Sequence, residues 1–280
     1  MTLQMKLLAG SAAVVVIAAG ILGVVRMRQQ PRFPYMTRAL PEADYAAMAA
    51  KPGWRAEHLA VAPGIQLRGL VREPAAPGRP WVLFFNGNSP NMLREGQQFI
   101  DALCASQGWG GVVWAYRGYD SSDGTPDASV FVDDGLKAYS ALLAASGASA
   151  QSVHIVGFSM GTGVAAAVTA RAGQNAPGSL TLLAPMTTLY HGERAQLFLH
   201  RHETLKWLPQ ITSPVLVIHG NDDTTLPVEN SRTVAAVLGS RGSLLELPGI
   251  GHIDLPTAPA AQDALRAFIA KHSAGAAAPQ

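Results

Sequence analysis

The sequence holds a single cysteine, Cys104, among 280 residues. No intramolecular disulfide can form, which excludes a disulfide-stapled scaffold while leaving the compartment open. Charge is scarce. Asp, Glu, Lys and Arg make up 14% of the chain, and 21 basic against 19 acidic residues leave a formal net charge of +2. The arginines are scattered and form no basic stripe, so nothing in the sequence offers an electrostatic footprint for nucleic acid. Aromatic residues are few at 7%, yet 48% of residues are hydrophobic. That is enough to bury a large core, and it excludes general disorder. No internal repeat is present.

The N-terminus differs from the rest. Leu7 to Val25 is an uninterrupted uncharged run, preceded by Lys6 and followed by Arg26, Arg28 and Arg32. As a helix it would be about 28 Å long, close to the roughly 30 Å of a bilayer's hydrocarbon core. Residues 1–40 are therefore expected to be a single-pass membrane anchor and linker. A cleaved signal peptide is the alternative, left open by the small residues Ala18, Ala19 and Gly20. The heavier positive charge after the run leans towards a cytoplasmic domain, by a margin too small to fix sidedness.

Residues 41–273 are expected to form one domain of the α/β class, with a cap over about 190–211 and a flexible tail over 274–280. Glu57–Val61 and Ile65–Arg72 read as two strands around a Pro63-Gly64 turn. Short apolar runs then alternate with helical stretches. The strands are expected at Trp81–Asn86, Gly111–Tyr116, Val153–Phe158, Leu180–Ala184, Val215–His219 and Leu244–Leu247. Helices are expected near Leu93–Ser106, Ser129–Ala145, Met160–Ala172, Val228–Leu238 and Ala260–Lys271. Strands apolar throughout, joined by helices, imply a mostly parallel sheet covered on both faces.

The central motif is Gly157-Phe158-Ser159-Met160-Gly161, placed between a strand and a helix. That is the setting of a G-x-S-x-G nucleophile elbow, which presents the hydroxyl at a helix N-terminus. A serine hydroxyl is a weak nucleophile and needs a base together with an acid to orient it. His219-Gly220-Asn221-Asp222-Asp223 follows a strand and offers two carboxylates. Spacing from His219 and to Pro227 favours Asp223 as the acid. His252, in the Gly-rich turn after the last strand, is the candidate base. His219 is expected to shape its turn, and His191, His200 and His202 in the cap segment lack the spacing of a metal site. An oxyanion would need two backbone donors. Met160 N–H is the first, and Asn88 N–H, in the loop Asn86-Gly87-Asn88-Ser89-Pro90, is the second, with Ser89 in reserve.

Asn86-Gly87-Asn88, Tyr116-Arg117-Gly118-Tyr119 with Ser122, Gly124 and Pro126, the elbow, and His219–Asp223 occur in that order. Together they resemble the membrane-anchored group of α/β-hydrolase-domain-containing proteins, over roughly residues 55 to 270. The resemblance implies an α/β-hydrolase fold with a small cap. It also implies serine esterase chemistry on a small-molecule or lipid-like ester, with no metal or organic cofactor. The sequence departs from the group at Asn86, where the group usually has His, and at Pro90 and Asp120, where it often has Gly. The Tyr116–Pro126 loop reads as a structural neighbour of the oxyanion loop. Two alternatives stay open: a peptidase or amidase with the same triad, and a silent hydrolase-like membrane scaffold.

Overall fold

The apolar runs of the sequence become the sheet. The computed structural model describes residues 35–187 and 203–273. Within them lie β1 (Trp54–Ala62), β2 (Ile65–Arg72), β3 (Trp81–Phe85), β4 (Gly110–Trp114), β5 (Val153–Phe158), β6 (Ser179–Leu183), β7 (Val215–Gly220) and β8 (Gly242–Leu247). They form one sheet in the order β1-β2-β4-β3-β5-β6-β7-β8. β1 and β2 are an antiparallel hairpin, β2 pairs antiparallel with β4, and every pair from β4 to β8 is parallel. Every residue of β3 to β7 is buried, as strands covered on both faces must be, whereas the edge strands β1 and β8 are only partly buried.

Among the described residues the α-helices are α1 (Glu42–Ala49), α2 (Met92–Cys104), α3 (Ala128–Ser146), α4 (Gly161–Arg171), α5 (Thr204–Trp207), α6 (Glu229–Leu238) and α7 (Pro259–His272). Two glycines show how closely they dock. A Cβ on Gly96 of α2 would stand 2.4 Å from Val113, and one on Gly135 of α3 would stand 3.2 Å from Phe85. The register that pairs Phe84 with Val113 puts Val113 and Phe85 on opposite faces. α2, with α7 beside it, therefore covers one face, and α3 with α4 covers the other.

The expected strands and helices are present within a few residues, and the α/β-hydrolase architecture is the one read from the sequence. Two features differ. α1 was not anticipated. Its Tyr45 hydroxyl lies within hydrogen-bonding distance of both the Glu57 and Gly69 carbonyls, at 2.9 and 2.8 Å, and ties the hairpin to the domain. Residues 35–40, read as linker, lie against the domain: Tyr35 is buried, and the Leu40 N–H donates to Ser121 Oγ at 2.9 Å. Of the expected cap, Glu203–Ile211 is described. Leu208 is fully buried, Thr204 shares a hydrogen bond with Thr162, and α5 packs on α4. The remainder of the cap with His191, His200 and His202, the run Leu7–Val25 and the tail 274–280 lie outside the described residues. Among the described residues no helix is long and apolar enough to cross a membrane.

Candidate active site

Parallel strands deliver their following loops to one edge of the sheet, and here four such loops converge. They follow β3 (Asn86–Asn91), β5 (Ser159), β7 (Asn221–Leu226) and β8 (Pro248–Asp254).

Ser159 sits at φ 52°, a left-handed conformation uncommon for a residue with a side chain. The backbone around it enforces this. Ser159 N–H donates to the Leu183 carbonyl at 2.9 Å, and the Ser159 carbonyl accepts from the Thr162 N–H at 3.0 Å and the Thr162 hydroxyl at 2.6 Å. The flanking glycines make the turn sterically feasible. A Cβ on Gly161 would lie 2.1 Å from the Phe85 carbonyl oxygen, and one on Gly157 would lie 2.7 Å from the Gly161 carbonyl oxygen. Ser159, itself largely buried, is thereby presented at the head of α4.

His252 is nearly buried and lies over Phe158, with ring centroids 4.9 Å apart. Its Nε2 is 3.0 Å from Ser159 Oγ, and its Nδ1 is 2.6 Å from Asp223 Oδ2. A carboxylate only accepts, so Nδ1 carries the proton and Nε2 is left to accept from the serine hydroxyl. The other Asp223 oxygen accepts from the N–H groups of Thr225 and Leu226 at 2.8 and 2.7 Å. Asp222 is exposed, and its backbone N–H is bonded to the Ile250 carbonyl. The structure thus brings Ser159, His252 and Asp223 together and leaves Asp222 outside.

His219 supports the acid loop. Its Nε2–H donates to the Leu226 carbonyl at 3.1 Å and lies 3.3 Å from Asp223 Oδ2, while Nδ1 accepts from the Ser231 hydroxyl at 2.6 Å. Burial pushes its pKa down, so it is neutral at pH 7.

The loop after β3, expected to supply an oxyanion donor, lies directly against the serine: a Cβ on Gly87 would stand 3.1 Å from Ser159 Cβ. Asn86, in place of the histidine of the resembling group, is buried. Its Oδ1 accepts from the Gly87 N–H at 2.7 Å, and its Nδ2 donates to the Met92 carbonyl at 3.1 Å. The Ser89 hydroxyl is engaged with Glu95 at 2.6 Å. Met160 is fully buried immediately before α4. The Tyr116–Pro126 loop does pack beside this loop, with the Tyr116 hydroxyl on the Asn86 carbonyl at 3.1 Å and the Tyr119 hydroxyl on Asn88 Oδ1 at 2.6 Å.

Ser159 and His252 open onto a cleft of about 540 Å³ whose lining includes Met36, Phe84, Asn88, Phe99, Phe158, Ile253 and Pro256. Met36 was missed in the sequence because nothing local links residue 36 to residue 88. A second cavity of about 240 Å³, between Trp81, Trp114 and α3, contains none of the three residues.

Residues 97–263 match the serine hydrolase (FSH1) family. Among curated proteins, an uncharacterized protein of Mycobacterium tuberculosis is 26% identical over 269 residues, covering 92% of this chain and 93% of its own. Lysophosphatidylserine lipase ABHD12 of Rattus norvegicus is 26% identical over 180 residues, 56% of this chain and 45% of its own. Among solved structures, an alpha-beta hydrolase from Vibrio vulnificus superposes with a TM-score of 0.69 at 19% identity, covering 88% of this chain and 91% of that one.

Proposed function

The chain belongs to the FSH1 family of serine hydrolases, and from that premise we propose that it cleaves an uncharged carboxylic ester or thioester through an acyl-enzyme on Ser159. The observation that carries the proposal is the continuous hydrogen-bonded line from Ser159 Oγ through His252 to Asp223. In the proposed reaction His252 Nε2 takes the serine proton as Oγ bonds to the acyl carbon. The carbonyl electron pair moves to oxygen, where the Met160 and Asn88 backbone N–H groups receive it. As the carbonyl re-forms, the bond to the leaving oxygen or sulfur breaks, and His252 gives that atom its proton. Water then repeats the sequence, with His252 as base, and frees the acid. Asp223 holds the imidazole tautomer and stabilises the imidazolium.

The name of the rat relative supports a monoacyl lipid-like ester as one substrate. The cleft lining, among the described residues, carries Glu95 and Asp254 and no Lys or Arg. Two carboxylates with no cation disfavour an anionic headgroup, so we favour a neutral one. We further propose that Leu7–Val25 anchors the enzyme to a membrane, on the strength of its uncharged length; full-length protein recovered entirely in the soluble fraction would refute this.

The test is a panel of p-nitrophenyl esters, acyl-thioesters and peptide amides, with Ser159→Ala as control and fluorophosphonate labelling of the nucleophile. Turnover of esters or thioesters that disappears in Ser159→Ala supports the proposal. Absence of labelling, or turnover of amides alone, would refute it.

A further inference from the structure

We infer that the segment entering the domain, Tyr35–Met36, is part of the active site. Met36 is a specificity-determining wall residue, and its N–H, paired with the Tyr119 hydroxyl, positions the oxyanion loop through Asn88. The inference rests on the proposed role of Asn88 as an oxyanion donor.

The loop after β3 has no regular structure between Asn86 and Pro90, so its shape depends on side-chain ties. An amide oxygen has two lone pairs, and both on Asn88 Oδ1 are taken: Met36 N–H donates at 2.8 Å and Tyr119 OH at 2.6 Å. Neither donor is free to drift. Tyr119 is fully buried, and its ring meets Tyr35, Tyr116 and Phe131 edge-on at centroid distances of 6.4, 6.1 and 6.3 Å. Tyr35 in turn is buried against Phe131 at 5.4 Å, which fixes the chain one residue before Met36. An oxyanion donor must sit at about 2.7–3.1 Å from the developing charge, and a displacement of about 1 Å can cost about 10²-fold in rate. Two donors on one side-chain oxygen are a means of holding that position.

The Met36 side chain serves the substrate. Three large hydrophobic residues are exposed among the described ones, and two of them, Met36 at 51% and Ile253 at 79%, line this cleft. Apolar groups held in water at a cleft mouth gain burial when an acyl chain covers them. The unbranched thioether adapts its shape to that chain.

The experiment uses full-length Tyr119→Phe, Met36→Ala and Met36→Pro, with p-nitrophenyl acetate and octanoate as probes and thermal midpoints as the fold check. Tyr119→Phe is expected to lower kcat about 10-fold or more while KM stays within about threefold, the pattern of a lost transition-state interaction. Met36→Ala keeps the N–H and is expected to shift the octanoate-to-acetate ratio of kcat/KM at least about fivefold towards acetate. Met36→Pro removes the N–H as well and adds the kcat loss. A Tyr119→Phe kcat within about twofold of wild type, or equal kcat in Met36→Pro and Met36→Ala, overturns the positioning role. An unchanged octanoate-to-acetate ratio in Met36→Ala overturns the specificity role. Should Met36→Pro not fold, the other two variants decide. Retained turnover in Ser159→Ala would instead remove the underlying reading of the site, so the two failures are distinguishable.

Discussion

Asp223 meets His252 with one carboxylate oxygen only: Oδ2 is 2.6 Å from Nδ1, while Oδ1 is held by the N–H groups of Thr225 and Leu226. This geometry dictates what an amide would do in its place. In Asp223→Asn the oxygen stays on the two N–H donors, and the NH2 group is forced towards His252. Nδ1 must then accept, the proton moves to Nε2, and the base is lost. We expect kcat to fall about 10³- to 10⁴-fold. Asp222→Asn, on the exposed side of the loop, is expected to stay within about twofold. Steady-state kinetics with the reverse ranking would assign the acid to Asp222.

In the proposed mechanism Ser159 and His252 act through one shared proton, so their losses should not add. Ser159→Ala and His252→Ala are each expected to lower kcat by at least about 10³-fold, and the double variant to be little worse than either. Near-additive losses would show that the two do not work as a unit.

The elbow also makes a stability prediction. A Cβ at position 161 would meet the Phe85 carbonyl oxygen at 2.1 Å, and backbone of a central strand cannot yield as a side-chain tip would. Gly161→Ala is expected to destabilise by about 3 kcal/mol or more, or to prevent folding. Gly147→Ala is a suitable comparison: no atom lies within 4 Å of a Cβ there, and only its left-handed φ of 62° opposes the change. Urea unfolding that ranked the two variants equally would contradict the steric account.

Much of this was legible in the sequence, for reasons that particular segments make clear. β3, β5 and β7 are short, apolar and bounded by turn residues, and burial on both faces leaves no other use for such runs. The elbow, the acid loop and the histidine turn each follow a strand, so a parallel sheet necessarily gathers them at one edge. α1 was not legible: it is eight residues long, Pro41 supplies no side-chain cap, and only Tyr45 and Met48 face inward. β1 begins at Trp54 rather than near Glu57 because an edge strand alternates and carries charge, which blurs its start. The tie from Met36 to Asn88 spans 52 residues and is made by a backbone N–H, which leaves no trace in residue type.

Asp120 gives a prediction in pH. It is buried at φ 44°, and its Oδ2 accepts from the Leu93 N–H at 2.7 Å. Burial outweighs that bond and pushes its pKa from 3.8 up to about 6. Between those values the folded state binds more proton than the unfolded state. Stability therefore falls as pH rises through that window and stays reduced above it. Asp120→Asn keeps the acceptor, tolerates the left-handed backbone and carries no charge. At pH 8 it is expected to be more stable than wild type by at most about 3 kcal/mol, with the gap closing near pH 4. His154, pushed down to about 4 by burial, loses stability on acidification in both proteins and cancels in the comparison. Urea unfolding at pH 8 that found Asp120→Asn less stable would refute the burial argument.

The cleft also bears on acyl length. Its volume of about 540 Å³ lies in the lower half of the roughly 300–1,000 Å³ usual for small-molecule pockets. Phe84 and Phe99 stack with centroids 4.0 Å apart, and both are buried, so this part of the wall is rigid. The described part of the cap packs on α4 and adds no residue to the lining. An acyl chain entering past Met36 and Ile253 would meet the Phe84, Phe99 and Phe158 rings that line the cleft. We expect short-to-medium acyl esters to be preferred over long-chain triglycerides, with kcat/KM passing through a maximum before C16 in a series of p-nitrophenyl esters from C2 to C16. Micelle formation by the longest esters is controlled by repeating the series below their critical concentrations. A steady rise to C16 under those conditions would mean that the acyl chain follows a path other than this cleft.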